Sequence, residues 1–140
     1  MDHFIVREMR LEDYSVVIDF WRQTPGLRLS EVDSKENLDL FLQRNEGFSF
    51  VAESAGQMVG SILCGHDGRR GFLYHLAVHH GYRKQGLGRQ LVNRCIAKLA
   101  ASKIDKCHLF VLEGNDSAMV FWEKIGFQQR KDIHIYSRTI

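Results

Sequence analysis

The sequence predicts an α/β fold with a mixed, mostly antiparallel central sheet and helices on both faces. Short runs of alternating apolar and polar residues predict strands, and two runs with helical spacing precede three consecutive strands. Helix and strand then alternate to the end. We expect a single domain over residues 1–140, because one core is usual at this length and no proline- or glycine-rich linker interrupts the chain.

The N-terminal third predicts a strand followed by two helices. Residues 4–9 alternate in character, which is typical of a strand. A helix follows, because four apolar residues recur at i, i+3, i+4 and i+7: Tyr14, Val17, Ile18 and Trp21. A second helix begins after Asp33 or Ser34, either of which can cap it, and Asp33 with Glu36 has the spacing of a capping box.

Three consecutive strands come next. Residues 48–53 and 58–64 are strand-like runs joined by Ser54-Ala55-Gly56-Gln57, which predicts a hairpin turn. A second turn at Asp67-Gly68 leads into a strand over residues 71–78. Short turns between successive strands predict an antiparallel meander.

The C-terminal half alternates between helices and strands. A helix begins near Gly86, and its apolar face repeats at helical spacing: Leu87, Leu91, Cys95 and Leu99. Residues 106–112 form an apolar predicted strand. A last helix ends at Gly126, and residues 133–138 alternate again as a closing strand. The predicted order is therefore β-α-α-β-β-β-α-β-α-β.

Charge and composition exclude several kinds of partner. The formal net charge of +2 is too small to predict nucleic acid or an anionic membrane. No run approaches the roughly 18 apolar residues of a membrane span, and the N-terminus lacks the regions of a secretory signal. An odd number of widely spaced cysteines argues against a disulfide framework: Cys64, Cys95 and Cys107. We therefore expect a cytoplasmic protein.

The cysteines and histidines do not predict a metal site. Cys107-His108 with either other cysteine lacks the spacing of zinc ligands. His79 and His80 are adjacent, so their rings are expected to diverge.

The most informative segment is the loop Arg83-Lys84-Gln85-Gly86-Leu87-Gly88-Arg89, between a predicted strand and a predicted helix. Its glycines let the backbone turn sharply and bring successive N–H groups towards one point. The helix start adds partial positive charge, and three cations surround it: Arg83, Lys84 and Arg89. The loop therefore predicts a site for a ligand with more than one phosphate.

Three phosphate-binding patterns compete for this loop. A P-loop requires Gly-x-x-x-x-Gly-Lys-Ser/Thr; Gly81 and Gly86 have that separation, but no Lys-Ser/Thr pair follows. A dinucleotide fingerprint requires a third glycine where Leu91 stands. The pattern Arg/Gln-x-x-Gly-x-Gly/Ala remains, matched by Arg83, Gly86 and Gly88.

A second segment supports that third pattern. The run Asn115-Asp116-Ser117-Ala118-Met119-Val120-Phe121-Trp122-Glu123-Lys124-Ile125-Gly126-Phe127 lies about 30 residues after the loop. With loop and run together, the chain resembles the GNAT superfamily of N-acetyltransferases, whose acyl-CoA N-acyltransferase-like element order it also shares. The resemblance implies acetyl-CoA as cosubstrate and transfer of its acetyl group to a primary amine of a small molecule, amino acid or peptide by direct attack. Because family members are often monomers or dimers, it also implies a monomer or a homodimer.

The resemblance also implies which residues bind the cosubstrate. Three strand positions match those whose backbone pairs with the pantetheine arm: Leu76, Ala77 and Val78. The pyrophosphate would be held at the loop residues: Arg83, Lys84, Gln85, Gly86, Leu87, Gly88 and Arg89. Asn115 matches an asparagine that contacts the coenzyme, and a plain N-cap of the last helix is the alternative.

The catalytic groups match the family less well. His75 lies on the strand that should border the thioester, and imidazole suits proton transfer near neutral pH. It is our candidate base, with ordinary sheet packing as the alternative, and Tyr74 should point to the opposite face. Trp122 replaces the tyrosine that often protonates the leaving thiolate, and an indole N–H is far too weak an acid for this step. Phe110 stands where relatives acting on protein N-termini carry a glutamate.

The acceptor amine is not identified by the sequence. The resemblance implies a pocket from the first two helices and their loop, here residues 21–28 and 31–33, together with the last hairpin. Glu31 and Asp33 could attract a cationic amine, and a solvated charged loop is the alternative reading. Because Trp122 removes the usual acid, the alternative function is a coenzyme A-binding module that senses or regulates without turnover.

Overall fold

A computed structural model of the chain describes residues 3–140. The chain forms two compact units, one up to Phe110 and one from Val111 to Ile140. The first unit contains the sheet, and the second contains one helix. That the whole chain is a single domain stays a prediction.

The elements of the first unit follow the predicted order. Its strands among the described residues are β1 (Ile5–Glu8), β2 (Phe50–Ser54), β3 (Gln57–His66), β4 (Gly71–Val78) and β5 (Cys107–His108). Its helices are α1 (Tyr14–Arg22), α2 (Lys35–Arg44) and α3 (Leu87–Ala101), with short 3-10 turns at Leu11–Asp13, Glu31–Asp33 and His80–Tyr82. The second unit contains α4 (Asp116–Lys124).

The sheet has the strand order β1-β2-β3-β4-β5. The first four strands pair antiparallel, and β5 pairs parallel to β4. The prediction of a mixed, mostly antiparallel sheet is therefore confirmed.

Both faces of the sheet are covered by helices of the first unit, as predicted. On one face, Val51 and Leu63 are buried in a cluster that also contains apolar residues of α1 and α2: Val17, Ile18, Trp21 and Leu38. On the other face, Gly60 lies against α3. A Cβ at Gly60 would be 3.1 Å from Leu91 Cδ1 and 3.2 Å from Leu87 Cδ2, so the missing side chain allows the helix to pack closely.

The predicted closing strand over residues 133–138 is wrong. Residues 127–140 form no strand, and the side chain of Tyr136 is 93% exposed. The alternation is real, but a strand also needs a partner backbone and a face to bury, and no described residue pairs with this segment. The predicted strand over 106–112 likewise shortens to Cys107–His108.

The start of α2 resolves a choice that the sequence left open. Ser34 is the N-cap, because its side chain accepts a hydrogen bond from the Asn37 N–H at 3.1 Å. Asp33 does not cap α2. It closes the preceding 3-10 turn instead, where its carboxylate accepts from the Ser30 N–H at 3.0 Å.

Candidate functional site

Strand β4 contains a β-bulge in the middle of its pairing with β3. Ser61 lies opposite Ala77, whereas Leu63 lies opposite Tyr74. Two residues of β4 therefore oppose one residue of β3. His75 is one of the two and has a φ of +52°, in the left-handed region that non-glycine residues rarely adopt. Strained backbone of this kind is concentrated at functional sites.

The bulge changes where the side chains of β4 point. The His75 ring lies 4.8 Å from that of Trp21 on α1, and the Tyr74 ring lies 6.2 Å from that of Phe41 on α2, centroid to centroid. Both side chains are therefore on the face covered by α1 and α2. The prediction that Tyr74 points to the opposite face is wrong, because the left-handed residue interrupts the regular alternation of the strand.

His75 is held through both its ring and its backbone. Its Nε2 lies 2.7 Å from Asp33 Oδ1, and its side chain is 17% exposed. Its carbonyl oxygen accepts a hydrogen bond from Ser61 Oγ at 3.3 Å. That hydroxyl in turn accepts from Trp21 Nε1 at 2.8 Å. Residues from α1, β3 and the Glu31–Asp33 turn therefore fix this one histidine.

Asp33 is a buried carboxylate whose oxygens are both engaged. Burial raises its pKa, but hydrogen bonds from His75 and from the Ser30 N–H outweigh this, so the pKa of Asp33 lies below its ordinary value. The carboxylate is therefore ionised at neutral pH. Asp33 was one of two candidates to attract a cationic amine, but its carboxylate is hydrogen-bonded to His75. The other candidate, Glu31, is exposed.

The edge of β4 towards β5 is open over the predicted pantetheine-binding positions. β5 pairs with β4 only at Gly71 and Phe72. Ala77 and Val78 pair on the other edge, with β3, and Leu76 belongs to the bulge. Among the described residues no strand pairs with the β5 side of Leu76–Val78, so backbone groups there, apart from the Val78 carbonyl that accepts from Arg83 Nε, are available to an extended ligand.

The predicted phosphate loop has the backbone geometry that its glycines suggested. Gly86 is the N-cap of α3 and has a φ of +81°, and Lys84 is also left-handed at +63°. The first amide of the helix that donates within it is that of Gln90, to the Gly86 carbonyl at 2.9 Å. Within residues 3–140 the N–H groups of residues 84–89 have no protein acceptor. Six successive amides are therefore free to bind a ligand.

The cations around these amides are also uncompensated. Arg83, Lys84 and Arg89 are exposed and form no ion pair with any residue in the described part of the chain. Arg83 Nε lies 3.4 Å from the Val78 carbonyl oxygen, to which it donates, and so joins the loop to the end of β4. Positive charge thus remains available for an anion at the start of α3.

Three further positions that the resemblance singled out make capping or packing contacts. In the second unit, Asn115 caps α4, accepting from the Ala118 N–H at 3.3 Å, and the Trp122 ring packs edge-on against Phe121 and Phe127. In the first unit, Phe110 stacks on Phe72 with the ring centroids 6.3 Å apart.

His79, the first of two adjacent histidines after β4, caps a short turn. The expectation that the adjacent rings of His79 and His80 diverge is wrong, because they stack with centroids 4.4 Å apart. His79 Nδ1 accepts from the Gly81 N–H at 3.1 Å and so caps the short turn that leads to the phosphate loop. The described residues contain no group of three potential metal ligands, and none of their helices is long and apolar enough to cross a membrane.

Known proteins resemble this chain in sequence and in fold. The model of the acetyltransferase (GNAT) family matches residues 13–127. An acetyltransferase from Pectobacterium atrosepticum is 33% identical over 96% of this chain and 95% of its own, and one from Sodalis glossinidius is 32% identical over 96% and 94%. The crystal structure of the PaiA N-acetyltransferase from Thermoplasma acidophilum, in complex with coenzyme A, superposes with a TM-score of 0.81 at 20% identity, covering 94% of this chain and 93% of that one.

Proposed function

Because this chain belongs to the GNAT family of acetyltransferases, we propose that it transfers the acetyl group of acetyl-CoA to a primary amine of a small molecule, amino acid or peptide. The amine attacks the thioester directly. One observation carries this proposal: the six unpartnered amides of residues 84–89 lead into the first turn of α3, and the preceding strand, β4, has an open edge.

The pyrophosphate of acetyl-CoA binds at the amides of residues 84–89. Left-handed Lys84 and Gly86 allow the chain to turn there, and the dipole of α3 favours an anion at its first turn. Two linked phosphates need several hydrogen-bond donors. A helix whose first N–H groups are bonded to a capping side chain offers fewer free donors than this loop does. The side chains of Arg83, Lys84 and Arg89 supply the countercharge.

The pantetheine arm lies along the open edge of β4. Its two amide groups can pair with the backbone of Leu76–Val78 as an added strand would. Asn115 remains a candidate contact for the coenzyme, since a side chain that caps α4 through Oδ1 still has its amide N–H groups to donate.

The chemistry requires one proton to leave the amine. A C–N bond forms as the nitrogen lone pair attacks the acetyl carbon, and a backbone N–H of β4 near Val78 stabilises the oxyanion. His75 takes the proton from nitrogen. The C–S bond then breaks, the thiolate leaves, and solvent protonates it, because the Trp122 ring is packed against Phe121 and Phe127 and has no acidic proton to give.

Release of free coenzyme A across a panel of amines tests this proposal. The panel contains polyamines, aminoglycosides, free amino acids and peptides with free N-termini, and acetylated product is measured alongside by mass spectrometry. We expect turnover with at least one class above the rate without amine. Binding of acetyl-CoA without product from any class would favour the coenzyme A-binding module and contradict the enzyme.

A further inference from the structure

The hydrogen bond between His75 and Asp33 determines which ring nitrogen carries the proton. An ionised carboxylate can only accept, and Asp33 Oδ1 lies 2.7 Å from His75 Nε2. Nε2 must therefore be the donor. The neutral imidazole is consequently the Nε2–H tautomer, with its lone pair on Nδ1.

That second nitrogen is both unpartnered and accessible. No residue in the described part of the chain hydrogen-bonds to His75 Nδ1. No buried side-chain nitrogen or oxygen among the described residues lacks a partner. Since His75 Nδ1 lacks one, it is not fully buried, and the His75 side chain is 17% exposed.

The partner of His75 is itself held in place. The Asp33 carboxylate accepts from the Ser30 N–H, and the Asp33 carbonyl accepts from Tyr14 Oη at 2.8 Å. Trp21 packs against the His75 ring at an interplanar angle of 60°. The titratable groups next to this pair are Tyr14 on α1 and Tyr74 on β4. Within residues 3–140, Asp33 is the carboxylate that contacts the His75 ring.

We propose that Asp33 is a positioning residue that keeps His75 as the Nε2–H tautomer, so that Nδ1 takes the proton from the acceptor amine. This rests on the proposed function. In the step, C–N forms and C–S breaks, the N–H proton moves to Nδ1, and Asp33 stays ionised beside the imidazolium. The imidazolium then returns its proton to solvent, and solvent protonates the leaving thiolate. The contact spans 42 positions in sequence and couples the Glu31–Asp33 turn to the bulge of β4.

The competing explanation is that the pair merely ties the turn to the strand. The variant Asp33→Asn distinguishes the positioning role from a purely structural role. An asparagine amide can still bond to the ring, but it can donate to Nε2 and so move the ring proton to Nδ1. We expect kcat to fall at least about tenfold, as loss of a general base does, with acetyl-CoA affinity within about twofold of wild type. Tyr14→Phe is the matched control, since it loosens the same turn through the Asp33 carbonyl but leaves the carboxylate intact; its kcat should stay near that of wild type.

Nitrogen-15 NMR of the His75 ring at alkaline pH shows which ring nitrogen carries the proton. A purely structural role of Asp33 would not require the proton on a particular nitrogen. We expect the proton on Nε2 in wild type and in Tyr14→Phe, and on Nδ1 in Asp33→Asn. A wild-type ring protonated on Nδ1 would overturn the proposal, and this measurement decides the matter even if Asp33→Asn does not fold.

His75→Gln separates failure of this inference from failure of the proposed function. If His75→Gln loses turnover while Asp33→Asn keeps it, Asp33 has no positioning role and the acetyltransferase reaction stands. If His75→Gln keeps full turnover, His75 is not the base and the inference about Asp33 is wrong, although binding of acetyl-CoA at the loop is unaffected.

Discussion

The indole Nε1 of Trp21 donates a hydrogen bond to Ser61 Oγ at 2.8 Å, and both side chains are fully buried. The Ser61 hydroxyl in turn donates a hydrogen bond to the His75 carbonyl. A buried polar pair thus joins α1 to β3 and to the bulge of β4. Because polar groups inside a core cost free energy unless they are paired, this link specifies one arrangement of the three elements.

Ser61→Ala should destabilise the protein by about 1–3 kcal/mol, because it leaves the Trp21 N–H buried without an acceptor. Urea unfolding measures the loss of unfolding free energy. Ser15→Ala is the control, since Ser15 is exposed on α1, and it should change stability by no more than about 0.5 kcal/mol. Equal stability of the two variants would show that the Trp21–Ser61 bond contributes nothing.

Gly65→Ala should be more destabilising than Gly71→Ala. A Cβ at Gly65 would lie 2.8 Å from Nδ2 and 2.9 Å from Cγ of Asn45, whose Oδ1 accepts from the His66 N–H. Moving that amide disrupts a partly buried hydrogen bond, so we expect a cost of about 1–3 kcal/mol. At Gly71 the nearest atoms are the two methyls of Leu99, each 2.8 Å away at the end of a side chain with two rotatable bonds, and Cys107 Cβ follows at 3.2 Å. Thermal unfolding of both variants tests the order, and the reverse order would contradict it.

Asp13 should stabilise the protein only above acidic pH. Burial raises its pKa, but hydrogen bonds from Arg7 and from the Arg10 N–H outweigh this and place the pKa below its ordinary value. A depressed folded-state pKa means that the stabilisation is complete above the unfolded-state pKa of about 4 and is lost as the pH falls through the folded-state pKa.

Unfolding free energies of wild type and Asp13→Asn across this pH range check the sign. The difference should be largest near neutrality and should shrink below about pH 4. Asp19→Asn removes an exposed ion pair with Arg22 and should differ little from wild type at any pH. A constant difference between wild type and Asp13→Asn would rule out titration of this carboxylate as the cause.

The sequence predicted those features whose signal is local. The apolar positions of α1 recur at helical spacing because one side of that helix is buried, and Val17, Ile18 and Trp21 are indeed buried. The phosphate loop was recognisable because left-handed turns favour glycine, and Gly86 occupies one. Both depend on residues a few positions apart.

The features that the sequence did not predict depend on distant contacts. A left-handed His75 has no sequence signature, because the bulge is held by Ser61 from a neighbouring strand. The only sequence signal for the pairing of His75 with Asp33 is an acidic residue in the turn between the first two helices. Many loops contain an acidic residue, so this signal does not identify the pair. Residues 133–138 alternate in character, but alternation within one segment does not show whether another strand lies beside it, and no described strand does.

The central claim is that the free amides at the start of α3 bind the pyrophosphate of acetyl-CoA, and calorimetric titration of acetyl-CoA tests it most directly. Gly86→Trp is compared with Gly56→Trp, because both glycines have a positive φ, +81° and +77°, and open space around an added Cβ. The two substitutions should therefore strain the backbone to a similar extent, and only the one at Gly86 should weaken binding of acetyl-CoA. We predict that wild type and Gly56→Trp bind acetyl-CoA equally, and that Gly86→Trp binds at least about tenfold more weakly, a loss of about 1.4 kcal/mol. Equal affinity of all three proteins, or no binding by wild type, would contradict the claim.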